Sequence, residues 1–137
     1  MPSICACNPG FSGMVIPTHS APDYYSSNCS AVSCPANSTS PTSTVPPLGC
    51  SCLAGFNGTV TPSSQYPFYD STCVPVDCPV DSNGVNLVAG CSCDAGYSGS
   101  VTATIVSPFY TSTCAAVSCP ANSNGVNVPS GCPCNAG

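Results

Sequence analysis

No stretch of this chain carries apolar residues at helical spacing over a useful length. Residues 100–107 (SVTATIVS) instead alternate β-branched with small side chains, as a short strand does. Asn83-Gly84 and Asn124-Gly125 lie between such short runs and favour tight hairpin turns with positive φ. Residues 39–47 (TSPTSTVPP) stand where a third such turn would fall, and read as an extended, polyproline-like loop. The predicted elements are short two-stranded hairpins and many turns, with almost no helix.

These short runs recur in step with cysteine. Cys-x-Cys is followed after 20 or 21 residues by Cys-x4-Cys, and after a further 12 or 15 by the next Cys-x-Cys. Cys5, Cys7, Cys29 and Cys34 form one copy, and Cys50, Cys52, Cys73 and Cys78 the second. Cys91, Cys93, Cys114 and Cys119 form the third, and Cys132 and Cys134 open a fourth. In register, the copies read CACNPGFSGMV, CSCLAGFNGTV and CSCDAGYSGSV, so Phe11, Phe56 and Tyr97 each sit between two glycines. Such a ring can fold over the neighbouring bridge. An array of small cross-linked modules is expected, with no single large core.

Composition strengthens this picture. The 137 residues include 14 Cys, 16 Pro and 12 Gly, five acidic residues and neither Lys nor Arg. Cysteine at this density marks a disulfide scaffold in an oxidising compartment, because small modules bury too little apolar surface to offset chain entropy. A bridge closing a loop of about 15 residues contributes about 3 kcal/mol. The missing cations argue against nucleic acid and anionic membrane surfaces as partners. No segment reaches the roughly 18 apolar residues of a membrane span. With few charges, the surface is expected to be covered by glycans or by lateral packing. The opening MPSICACNPG matches VPSGCPCNAG at 128–137 and has no signal-peptide pattern, as expected of a window from a longer array or of a mature product.

Cysteines separated by one residue rarely join each other, which leaves two local pairing schemes. In one, Cys7–Cys29, Cys52–Cys73 and Cys93–Cys114 close the aromatic loops. Cys34–Cys50, Cys78–Cys91 and Cys119–Cys132 then close the hairpin loops, leaving Cys5 and Cys134 for inter-repeat or inter-protomer contacts. In the other the pairs cross, as in Cys7–Cys34 with Cys29–Cys50. Spacing alone leaves both open.

Cys-x-Cys-x-x-Gly-Phe/Tyr-x-Gly resembles the C-terminal half of an epidermal-growth-factor-like (EGF-like) module. The resemblance implies the first pairing scheme, as in a module that has lost its first and third cysteines. It differs from that family in having four cysteines per repeat and a final loop about twice the usual length. No Asp-x-Asp/Asn-Glu stretch precedes a module, so the family's calcium site does not carry over. Similar arrays occur in cell-surface, adhesive and hair-like proteins of algae and other protists. The expected fold is small, disulfide-rich and mostly irregular with short β-hairpins, in a linear array of EGF-like repeats. Residues 1–33 form an incomplete repeat (C-terminal half), 34–77 and 78–118 complete repeats, and 119–137 an incomplete one (N-terminal half).

Candidate chemistry is sparse. Thiolate metal sites use tighter ligand pairs than these gaps, so no metal or other cofactor is expected apart from covalent glycans. His19 lies near Asp23 and several serines, but the other copies lack it, and a solvent-exposed loop histidine is the expectation. The pairs Tyr24-Tyr25, Phe68-Tyr69 and Phe109-Tyr110 are expected to pack on a disulfide or at a module junction, with sugar stacking as the functional alternative. Asn28, Asn37 and Asn57 begin N-glycosylation triplets, Asn37 and Asn57 being the better candidates. Thr39, Ser40, Thr42, Ser43 and Thr44, among Pro41, Pro46 and Pro47, resemble an O-glycosylated stretch.

The function expected is structural, not enzymatic. The chain reads as a secreted or cell-surface glycoprotein: a disulfide-locked rod of tandem repeats in an extracellular fibre, filament or hair. Self-association would run head-to-tail or helically. The alternative is the stalk or binding module of an adhesin or receptor, contacting a glycan or protein through loops such as 39–47.

Overall fold

The computed structural model describes residues 5–41, 43–45 and 49–136. The chain is small, disulfide-rich and built of short strands, with a single turn of 3-10 helix at Val128–Ser130 among the described residues. Six disulfides join Cys7–Cys29, Cys34–Cys50, Cys52–Cys73, Cys78–Cys91, Cys93–Cys114 and Cys119–Cys132, with Cα separations of 5.4 to 5.8 Å. Cys5 and Cys134 are free and exposed.

Each aromatic loop carries two nested strand pairs, the outer one formed with the two residues just past its closing cysteine. In the first copy, β1 (Phe11–Ser12) pairs with β4 (Ser30–Ala31), and β2 (Val15–Pro17) with β3 (Tyr25–Ser27). The hairpin loop beyond it pairs β5 (Ser38–Thr39) with β6 (Ser51–Cys52). The second copy repeats the order with β7 (Phe56–Asn57), β8 (Val60–Pro62), β9 (Tyr69–Ser71) and β10 (Val74–Pro75), then β11 (Ser82–Asn83) against β12 (Ser92–Cys93). In the third, β13 (Tyr97–Ser98) pairs with β16 (Ala115–Ala116), and β14 (Val101–Ala103) with β15 (Tyr110–Ser112). Ser123 and Cys134 make the bridge that corresponds to β5–β6 and β11–β12.

The second glycine of each box keeps the nested pairs together. Gly58 has φ +138°, and a Cβ there would strike the backbone carbonyl of Thr72 on the facing strand. Only hydrogen fits that close approach. The facing residue completes the join. Thr72 Oγ1 accepts from Thr59 N–H at 2.9 Å, Thr113 Oγ1 from Ser100 N–H at 3.0 Å, and Asn28 Oδ1 from Met14 N–H at 2.8 Å.

Two expectations need correction. Asn83-Gly84 and Asn124-Gly125 do not form tight two-residue turns. Asn83 is the last residue of β11, and its partner β12 starts only at Ser92. The asparagines at 83 and 124 do not carry the positive φ; the earlier Asn37, Asp81 and Asn122 do, and they turn the chain ahead of each hairpin loop. A Cβ on Gly84 would collide with the carbonyl of Gly90, so that glycine serves loop closure under the Cys78–Cys91 bridge. Nor is 39–47 extended over its described part. Ser43 N–H bonds the Ser40 carbonyl at 3.1 Å, Ser43 has φ +57°, and Ser33 bridges Thr44. Local Ser and Thr hydrogen bonding overrides the polyproline tendency there. Thr42, Pro46 and Pro47 lie outside the described residues.

The chain divides into two compact units, Met1–Leu53 with Gly58–Val74, and Ala54–Asn57 with Pro75–Gly137. The short box segment of the second copy thus belongs to the second unit, and the hairpin that follows it to the first. Apolar burial is slight. Val45, Cys50, Phe56 and Leu87 are the buried hydrophobic residues among those described, so the bridges supply order that a core does not.

Candidate functional site

The most specific geometry in the chain is a backbone relay that starts at the first glycine of each box. Gly10 C=O accepts from Val32 N–H at 3.0 Å, and Val32 C=O accepts from Val45 N–H at 2.8 Å. In the second copy Gly55 C=O accepts from Val76 N–H at 2.9 Å, and Val76 C=O from Leu87 N–H at 2.8 Å. In the third, Gly96 C=O accepts from Val117 N–H and Val117 C=O from Val128 N–H, both at 2.8 Å. The relay ties each aromatic loop to the hairpin loop beyond it, and in the second and third copies it brings Leu87 and Val128 beside the glycine, each 3.2 Å from where a Cβ would lie.

The glycine N–H points the other way, to the aromatic loop of the next copy. Gly10 N–H donates to the Ser63 carbonyl at 2.9 Å within the first unit, and Gly55 N–H to the Thr104 carbonyl at 3.0 Å within the second. Both glycines are buried. Gly55 has φ +80°, and a Cβ on it would lie 3.1 Å from Ala103 Cβ and 3.2 Å from Leu87 Cβ. The glycine therefore permits both the turn and the close approach. Each such contact is a seam: one glycine amide, one loop carbonyl, and a branched aliphatic residue closed off from water. Val45 is 1 % exposed and Leu87 7 %.

The acceptors Ser63 and Thr104 sit at matching places in their loops. Ser63 N–H bonds the Phe68 carbonyl at 3.0 Å and Thr104 N–H the Phe109 carbonyl at 2.8 Å, as Thr18 N–H bonds that of Tyr24. Cis Tyr66–Pro67, Ser107–Pro108 and Ala21–Pro22 shape these loops. The aromatic pairs flank them: Phe68-Tyr69 and Phe109-Tyr110 are half-buried, while Tyr24-Tyr25 are exposed. Phe68 meets Tyr66 edge-on at 6.1 Å.

The remaining predicted positions fall as follows. Phe56 is buried, and Phe11 and Tyr97 are half-buried. Phe11 lines a cleft of about 190 Å³ with Ala6, Cys7, Asn8 and Cys29. Tyr97 donates its hydroxyl to the Asp81 carboxylate; that bond, partial loss of hydration and the charges of Asp81 and Asp94 hold the phenol above its ordinary pKa. Asn37 and Asn57 are exposed; Asn28 is exposed too, but its carboxamide oxygen is engaged by Met14. Thr39 and Ser43 are exposed, and Ser40 donates its hydroxyl to the Thr44 carbonyl at 3.1 Å. His19 and Asp23 are exposed on the Thr18–Tyr24 loop. Among the described residues, no group of three or more His, Cys, Asp or Glu is placed to hold a metal ion, and no helix is long and apolar enough to cross a membrane.

The seam residues Gly10, Val45, Gly55, Leu87 and Thr104 were not legible as a site. Counted back from the next cysteine, Val45 aligns with Asn86, and Pro46 with Leu87. The relay shows that Val45 and Leu87 are the counterparts, one residue out of that register. Comparison with family models, curated proteins and solved structures finds no match for this chain.

Proposed function

We propose that the chain is a structural element of an extracellular or cell-surface fibre, filament or hair, made of tandem four-cysteine EGF-like repeats and glycosylated on its surface. The observation that carries this reading is the seam. A glycine amide bonds a loop carbonyl of the next copy at Gly10 and at Gly55, and the best-buried aliphatic residues, Val45 and Leu87, are bonded through the backbone relay to those same glycines. Where burial and directed hydrogen bonds go into joining copies, the assembly is the product of the fold. The six disulfides and the scarcity of charge fit an oxidising exterior and a surface that glycans at Asn37 and Asn57 would cover.

Three measurements test the reading. Peptide mass spectrometry of native material should find sugars on Asn37 and Asn57, and immunogold labelling should place the protein along extracellular filaments. Binding of the disulfide-intact chain to a glycan or protein array should be indistinguishable from background. Saturable binding to one ligand, with labelling confined to single sites on the cell surface, would overturn it in favour of an adhesin or receptor stalk.

A further inference from the structure

Tyr66 stands further into water than any other large apolar side chain among the described residues, at 87 % exposed. Its hydroxyl has no hydrogen-bond partner among them. Yet the loop that carries it is fastened. Ser63 C=O accepts from Gly10 N–H at 2.9 Å, Ser63 N–H bonds the Phe68 carbonyl at 3.0 Å, and Gln65 N–H bonds Ser63 Oγ at 3.2 Å. The half-buried Phe68 ring meets Tyr66 at 6.1 Å with 83° between the planes, so it braces one side of the phenol and leaves the rest in water.

The fold does not need this tyrosine. Ahead of the matching prolines, Pro22 and Pro108, stand Ala21 and Ser107, and those loops close with the same backbone bond, 2.8 Å long in each. Nor does a ring so exposed bury enough surface to serve a core. What it offers is chemistry that the rest of the chain lacks. There is no Lys to form amide or aldehyde-derived cross-links, and no Trp. Six bridges occupy twelve of the 14 cysteines. Met14, 56 % exposed, takes up oxygen from peroxide but joins nothing.

We propose that Tyr66 is a covalent joining site, where its ring couples carbon to carbon with Tyr66 of a second copy of this chain. The oxidant is hydrogen peroxide acting through a haem peroxidase. Each phenol loses one electron and one proton. The two radicals pair at the carbons ortho to the hydroxyls, and the displaced ring hydrogens return to the oxygens, restoring both phenols as dityrosine. Peroxide takes up the two electrons and two protons and leaves as two waters. The loop suits a self-contact: residues 63–68 carry no charge, although the chain as a whole has a net charge of −5. Tyr24 and Tyr25, at 59 % and 55 % exposed, adjoin Asp23, so two copies of that loop would repel each other. Tyr69, Tyr97 and Tyr110 are half-buried. The contact uses the same residue from both sides, so each event joins two molecules and stops. It rests on the fibre reading above and gives neighbouring filaments a sideways tie.

The test oxidises the folded full chain with a haem peroxidase and limiting hydrogen peroxide, with Cys5→Ser and Cys134→Ser so that no thiol contributes. A dimer should form that survives reduction and denaturant, shows dityrosine fluorescence, and weighs two hydrogen atoms less than twice the monomer. Peptide mapping should place the link at Tyr66 in both partners. Tyr66→Phe keeps the ring that Phe68 braces and removes the reactive hydroxyl. It should retain the six bridges and lose most of the dimer, whereas Tyr24→Phe with Tyr25→Phe should dimerise like the parent. Native protein, hydrolysed in acid, should release dityrosine. No dimer, an undiminished dimer from Tyr66→Phe, links mapped to other tyrosines, or native protein free of dityrosine overturns the site. The peroxidase assay needs no filament, and the fibre reading falls only by its own labelling and ligand tests, so the two fail separately.

Discussion

The seam at Gly55 and the half-seam at Gly96 are built from the same local parts and differ in what covers them. Both glycines have positive φ, at +80° and +87°, and both accept from a valine N–H. At Gly55 the amide finds Thr104, and Leu87 is 7 % exposed; at Gly96 the amide finds no acceptor among the described residues, and Val128 is 41 % exposed. Local sequence thus builds the face, and a neighbouring loop turns it into a buried joint.

The largest effect should come from removing what both regions share. Reduction and alkylation of all six bridges should unfold the chain, since each bridge restricts a loop of 13 to 22 residues and is worth about 3 kcal/mol. Collapse of amide proton dispersion in NMR spectra would register it. Next, Leu87→Ala should cost about 2–3 kcal/mol in denaturant unfolding, whereas Val128→Ala should cost under about 1 kcal/mol, because its side chain is already partly in water. Equal losses would show that adjacency does not decide burial.

A third comparison separates backbone strain from crowding. Gly55→Ala meets the left-handed penalty of about 1–2 kcal/mol and also a wall formed by Ala103 and Leu87. Gly96→Ala meets the same penalty, but Val128 and Pro129 are exposed and can shift, so its loss should be the smaller, about 1 kcal/mol.

The smallest effect concerns Tyr97, which stands where the Gly55 region has Phe56. Its phenol pKa is raised by the bond to Asp81, so the folded state holds the proton more tightly than the unfolded one. The stabilisation is complete below the ordinary phenol pKa of about 10 and is lost as pH rises through the higher folded value. Tyr97→Phe should therefore flatten the alkaline fall of the unfolding midpoint, by a small loss at neutral pH, where the bond to Asp81 is present, and none above the folded pKa.

Much was legible from residues alone. The regular cysteine spacing, the absence of helical periodicity and the paired glycines dictate a stapled chain of short hairpins with almost no helix. These features act within one loop, where the chain's own geometry decides. Asn28 shows the limit: its triplet reads as a glycan acceptor, but its place opposite Met14 matches that of Thr72 opposite Thr59, a latch across the hairpin. The Ser40–Ser43 turn shows another, since competing hydroxyl and backbone bonds prevail over a proline-rich composition.

Which residues form the seam was settled in three dimensions. Val45 and Leu87 lie at different distances from the next cysteine, so no alignment of the repeats matches them, yet the same backbone bond holds both. Sequence sets where a chain can bend and which sulfurs have partners within reach, because those choices involve neighbours along the chain. Which amide meets which carbonyl across 49 or 53 residues depends on how loops stack, and only the folded molecule brings Gly55 to Thr104 and Gly10 to Ser63.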